Sequence, residues 1–200
     1  MRSEADRPRR LAVLLSGRGS NFLSLADAVA DGRIPEAEIV AVISDHADAA
    51  GLTAARGRGL PAFDVERGGD SRQAHEGRIR WILTQRQPDL LLLAGYMRVL
   101  SREFVEAYRG RILNIHPSLL PKYPGLDVHA RVIEAGESES GCTVHWVDFG
   151  VDSGPIVMQR RVPVRPGDTP ATLAARVLAA EHEIYAAAVR DVLDRIRPVR

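Results

Sequence analysis

The chain alternates short apolar runs with longer stretches in which apolar residues recur every three or four positions. LAVLLSG (Leu11 to Gly17), EIVAVISD (Glu38 to Asp45), LPAFDV, PDLLLLAG and ILNIH read as strands. Between them, FLSLADAVADGRI carries Phe22, Leu25, Ala26 and Val29 at helical spacing before Gly32 stops it. AGLTAARGRG, SRQAHEGRIRWILTQRQ (with Ile79, Ile82 and Leu83 as its stripe) and SREFVEAYRGR supply further helices. The order β-α-β-α-β-α-β-α-β predicts a mostly parallel sheet flanked by helices, an α/β fold. From Gly141 the texture changes. GCTVHWVD and GPIVMQRRVPV are alternating, β-branched segments joined by the turn FGVDSGP, which predicts an antiparallel C-terminal extension of the sheet. A last helix from Thr169 carries Leu173, Val177, Leu178 and Ile184.

This pattern places one domain over residues 11–200. Residues 1–10, MRSEADRPRR, are charged and contain Pro8, so they read as a disordered lead-in whose arginines have no specific role. The 200 residues are 45% apolar and 26% charged, enough for a single α/β core. Lys plus Arg number 27 against 26 acidic residues, which leaves no bulk field for nucleic acid or an anionic membrane, so any anion must be bound locally. The lone Cys142 can form neither an internal disulfide nor a cysteine zinc site, and reads as a buried packing residue. The sequence has neither a membrane-length apolar run nor the apolar segment of a secretory signal, so a cytoplasmic protein is expected.

Four stretches could carry chemistry. SGRGSN, Ser16 to Asn21, lies between the first strand and its helix. Backbone N–H groups at a helix start, beside glycines that allow close approach, bind phosphate without a basic side chain, which makes Gly19, Ser20 and Asn21 candidate donors. The stretch lacks the ending of a Walker loop and the third glycine of a dinucleotide fingerprint, and a tight turn with an N-cap explains it equally well. LLLLAGYMRVL ends a buried strand at Gly95, where α/β folds bind ligands, so Met97, Arg98, Val99 and Leu100 either line a pocket or start the next helix. In ILNIHPSLLPKYPG, Asn114 and His116 share one face at a strand exit. An isolated histidine is commonly structural, but an amide beside an imidazolium makes an oxyanion cradle. In FGVDSGP, Asp152 stands between Gly150 and Gly154. It either caps its own turn or, if the fold brings it to His116, favours and orients the charged imidazole. His46, His75 and His182 have polar neighbours, and no histidine pair shows metal-ligand spacing, so no metal is expected.

SGRGSN, DSRQAH, LLLLAGYMRVLS, LNIHPSLLPKYPGL, GCTVHWVD with VDSGPIV, and EHEIY occur in this order over nearly the whole chain. Together they closely resemble the phosphoribosylglycinamide formyltransferases, folate-dependent enzymes of purine synthesis. The resemblance implies a Rossmann-like formyltransferase fold. It also implies transfer of a formyl group from 10-formyltetrahydrofolate, a co-substrate, to the amine of N1-(5-phospho-D-ribosyl)glycinamide. It implies small-molecule substrates, no metal, and compatibility with a homodimer. Asn114, His116 and Asp152 match the family's catalytic three, with Asn114 also meeting the folate. Gly19, Ser20 and Asn21 match its phosphate loop, and Glu181 a residue that contacts the substrate's sugar hydroxyls. Arg72 falls where the family meets the folate, and Met97, Arg98, Val99 and Leu100 where it holds the pterin. A cis peptide before Pro121 is implied too. The chain departs from the family at Asp127, where many members have histidine, and in the turn DFGVD, which puts the pterin-side backbone contacts of Asp148 to Val151 in question. Sibling enzymes, methionyl-tRNA formyltransferase and formyltetrahydrofolate hydrolase, share the Asn-His-Asp chemistry but are expected to need an additional domain for which this chain has no room. A nucleotide-binding module without catalysis would use SGRGSN alone and leave Asn114, His116 and Asp152 unexplained.

Overall fold

The computed structural model describes residues 7–196. Seven strands form one sheet in the order β3-β2-β1-β4-β5-β6-β7. The strands are β1 (Arg9–Leu15), β2 (Ala37–Ser44), β3 (Ala62–Asp64), β4 (Leu90–Leu93), β5 (Ile112–His116), β6 (Glu139–Trp146) and β7 (Ile156–Pro163). β1 to β5 are joined by parallel pairings, and β6 and β7 by antiparallel ones. The helices are α1 (Ser20–Ala30), α2 (Ala50–Gly57), α3 (Arg72–Arg86), α4 (Arg102–Ala107), α5 (Val128–Glu134) and α6 (Pro170–Arg195).

Alternate residues of the buried central strands face opposite layers. Leu11, Val13 and Leu15 join Phe22, Leu173, Ile184 and Val189 in one core, while Ala12 and Leu14 join Ile79, Leu83 and Phe104 in another. α1 and α6 therefore cover one face, and α3 and α4 the other. Tyr185 of α6 is fully buried and donates to the carbonyls of Leu93 and Leu113 at 3.0 and 3.2 Å, tying that helix to the ends of β4 and β5. α3, α4 and α6 begin at the side-chain caps Ser71, Ser101 and Thr169.

Two differences from the sequence reading have simple causes. Residues 1–6 of the expected lead-in lie outside the described residues, but Arg9 and Arg10 already belong to β1. Arg7 pairs with Asp89 at 2.7 Å and Arg10 with Glu38 at 2.8 Å, so these arginines do have partners: their charges are met by neighbours on β2 and before β4. Helix α5 was not expected. It is short, has just Val128 and Val132 buried, and starts at Asp127 without a side-chain cap.

Candidate active site

β4 and β5 end side by side, with Leu93 opposite Asn114. Beyond them the chain turns outward and leaves a cavity of about 910 Å³. Asn114, His116 and Asp152 all line it, with Met97 to Leu100 on one side and Asp148, Gly150 and Val151 on another. The segment after β4 is a loop, not the start of a helix, and so delivers these side chains to the cavity. Met97, Val99, Leu126 and Val151 remain 67%, 57%, 75% and 54% exposed although they line it. An apolar mouth of this kind is what a flat aromatic ligand covers.

Asp152, remote in sequence, meets His116 directly: Oδ2 lies 3.2 Å from His116 Nδ1 and accepts the Gly125 N–H at 2.9 Å. The other ring nitrogen, Nε2, donates to the Tyr123 carbonyl at 2.9 Å. Both nitrogens thus face acceptors, and a doubly protonated ring satisfies both. Burial pushes the His116 imidazolium below its ordinary pKa, while the Tyr123 carbonyl and Asp152 pull it upward. The net direction is downward, so the second proton is bound less tightly than on a free imidazole. Burial raises the Asp152 carboxyl, but His145, the Gly125 N–H and His116 together lower it by more, so it stays ionised. Asp152 adopts φ 52°, which needs the flanking turn to hold it in left-handed backbone. The loop that carries Tyr123 and Gly125 is fixed in turn: Thr143 donates to the Ser118 carbonyl at 2.6 Å, and the Leu120–Pro121 peptide is cis, as the resemblance implied.

His145 escaped the sequence reading. It sits directly opposite Asn114 across the β5–β6 pair, and its Nε2 is 3.1 Å from the Asn114 amide nitrogen. His129 of α5 also lines the cavity, with Nδ1 buried and unpaired. Neither spacing nor parity could link these residues to the site, because their proximity depends on register and on a helix that was not expected.

Of the phosphate-loop stretch, Arg18 lines the cavity, whereas Gly19, Ser20, Asn21 and Glu181 are not among its lining residues. Gly19 is the N-cap of α1 in left-handed backbone, with no side-chain cap. The first-turn N–H groups of Ser20 and Asn21 therefore lack intrahelical partners. A Cβ on Gly19 would lie 2.6 Å from Gly51 Cα, so the glycine is required by the close approach of α2. Asn21 Nδ2 donates to Glu181 Oε2 at 2.7 Å, while Asn21 Oδ1 is buried and unpaired. Two candidate residues far apart in sequence are thus in contact. Burial raises the Glu181 carboxyl, opposed by the Asn21 amide. Arg72 opens α3 on the exposed surface and is not among the residues lining the cavity. Arg98 lines it, but its guanidinium pairs with the buried Asp45 at 2.5 Å. Burial pushes the Cys142 thiol up to about 12, so it is no nucleophile.

Residues 9–189 match the sequence profile of the family described as Formyl transferase. The chain belongs to this family. The formyl transferase is 44% identical over 176 residues to the phosphoribosylglycinamide formyltransferase of Escherichia coli K12, covering 88% of this chain and 82% of that one. It is 48% identical over 176 residues to the trifunctional purine biosynthetic protein adenosine-3 of Drosophila pseudoobscura pseudoobscura; the match covers 87% of this chain but spans just 13% of that relative's length. Among solved structures, the phosphoribosylglycinamide formyltransferase of Brucella melitensis superimposes with a TM-score of 0.88 at 48% identity, covering 92% of this formyl transferase and 95% of that chain.

Proposed function

We propose that this formyl transferase moves the formyl group of 10-formyltetrahydrofolate, its co-substrate, to the amine of N1-(5-phospho-D-ribosyl)glycinamide. The observation that carries this reading is the meeting of Asn114, His116 and Asp152 on one wall of a cavity whose mouth is apolar. The cavity volume of about 910 Å³ suits a ligand of folate size, and the exposed faces of Met97, Val99 and Val151 suit its flat ring system. The Ser20 and Asn21 N–H groups offer phosphate its donors, and Glu181 beside them offers the sugar hydroxyls an acceptor. Arg72, outside the cavity lining, presents its cation to the anionic tail of the folate.

As the substrate amine attacks the formyl carbon, negative charge develops on the carbonyl oxygen. The Asn114 amide and protonated His116, the latter buried, stabilise that charge. His116 then moves its loosely held proton toward the departing N10 nitrogen, and Asp152 stabilises the imidazolium and fixes its orientation. The attacking amine loses a proton, which balances the one delivered. No covalent enzyme intermediate is needed.

The test is absorbance-monitored formyl transfer with the purified chain, a 10-formyl folate and the glycinamide ribonucleotide. Folate turnover that depends on the glycinamide is expected. Turnover that ignores the glycinamide and yields formate would overturn the acceptor and favour the hydrolase sibling.

A further inference from the structure

The side-chain amide of Asn114 has two ends, and just one of them can stabilise an oxyanion. What selects that end lies on the neighbouring strand. Asn114 and His145 are directly opposed in the antiparallel β5–β6 pair, so their side chains share a face. His145 is 2% exposed, and its Nδ1 is 2.9 Å from the Trp146 carbonyl. That carbonyl is itself fixed by the crowded backbone of the following turn, where a Cβ on Gly154 would sit 1.8 Å from it. Nε2 lies 3.6 Å from Asp152 Oδ1, beyond hydrogen-bond distance, whereas Nδ1 is within it of the carbonyl. The hydrogen of neutral His145 therefore sits on Nδ1 and Nε2 presents a lone pair, while a doubly protonated ring would also reach toward Asp152. That lone pair faces the Asn114 amide at 3.1 Å, and Asp152 Oδ1 lies 3.3 Å from the same amide nitrogen. Both neighbours are acceptors. With the amide reversed, its oxygen would oppose a lone pair and a carboxylate together.

Resting on the proposed formyl transfer, we propose that His145 is a positioning residue that holds the Asn114 amide with its NH2 toward the reaction centre. One amide hydrogen is anchored on His145 Nε2. The other makes the longer bond to Asp152 and is the one handed to the developing oxyanion. His145 touches no substrate in this scheme and acts through Asn114 alone.

Two variants separate the ends of the His145 ring. His145→Asn keeps a donor near the Nδ1 position and removes the acceptor, whereas His145→Gln places an acceptor near Nε2. His145→Asn should lower kcat roughly ten- to a hundredfold, less than the full loss of an oxyanion donor, with KM for both substrates within about twofold. His145→Gln should recover most of that loss. In an Asn114→Ala background, His145→Asn should cost no more than about twofold further, because the residue it positions is gone. A structural role would instead lower activity equally in both backgrounds, and that result, or a His145→Asn enzyme with wild-type kcat, overturns the proposal. A separate readout holds even where a variant fails to fold or the enzyme transfers to a different acceptor. Long-range ¹H–¹⁵N correlation of the wild-type histidines at neutral pH should show His145 protonated on Nδ1 and bare on Nε2, and the Nε2–H tautomer would overturn the assignment.

Discussion

Replacing Gly19 with alanine tests whether the turn before α1 is shaped by backbone approach to α2. Gly19 has φ +73°, and an added Cβ would meet Gly51 Cα at 2.6 Å, a backbone atom that cannot swing aside. Left-handed backbone costs a residue with a Cβ roughly 1–2 kcal/mol, and forced overpacking typically adds about 1–3 kcal/mol. The sum, about 2–5 kcal/mol, lowers Tm by at least about 4 °C in a chain of this size. Relief requires the turn to move away from α2, and the Ser20 and Asn21 N–H groups move with it. KM for the phosphoribosyl substrate should therefore rise while KM for the folate changes little. Thermal unfolding and steady-state kinetics on Gly19→Ala measure both. A Tm within about 1 °C of wild type, with KM for the phosphoribosyl substrate unchanged, would refute the reasoning.

Asp152→Asn removes a charge that pulls the His116 pKa upward, so the alkaline limb of kcat against pH should move to lower pH; an unmoved limb with unchanged kcat would reduce Asp152 to a turn residue. Glu181 has its pKa raised by burial, so its ionisation costs the folded state stability as pH rises through the folded value; Glu181→Gln should raise Tm above neutral pH while weakening glycinamide binding, and a lowered Tm there contradicts this. Burial depresses the pKa of His75, His116, His129 and His182, so the unfolded chain binds these protons more tightly than the folded one. Their contribution is full above about pH 6.5 and is lost as pH falls through the depressed values, so Tm should drop between about pH 7 and 5, and a flat profile contradicts it.

The strands and most helices were legible because each buries one face or both, and burial writes apolar periodicity into the sequence. β1 hid its first two residues because Arg9 and Arg10 look like solvent residues until Glu38 and Asp89 are seen beside them. α5 was not legible: two buried valines in seven residues make no helical stripe, and its start at Asp127 carries no capping signal. Parity alone placed Asn114 and His116 on one face. The pairing of Asp152 with His116 came through the family resemblance, and the contact of Asn21 with Glu181 was not foreseen, since each joins parts of the chain that meet solely in the folded state. His145 was missed for a related reason: its partner is set by strand register, and one histidine in a buried strand gives no sign of what stands opposite.

The central claim is that His116, held between Tyr123 and Asp152, carries the proton and the charge of formyl transfer. The direct measurement is kcat for His116→Ala beside the affinity of the same variant for the folate co-substrate. The expected result is a fall in kcat of roughly two to four orders of magnitude with folate affinity near that of the wild type. A folded His116→Ala enzyme that turns over at close to the wild-type rate would contradict it.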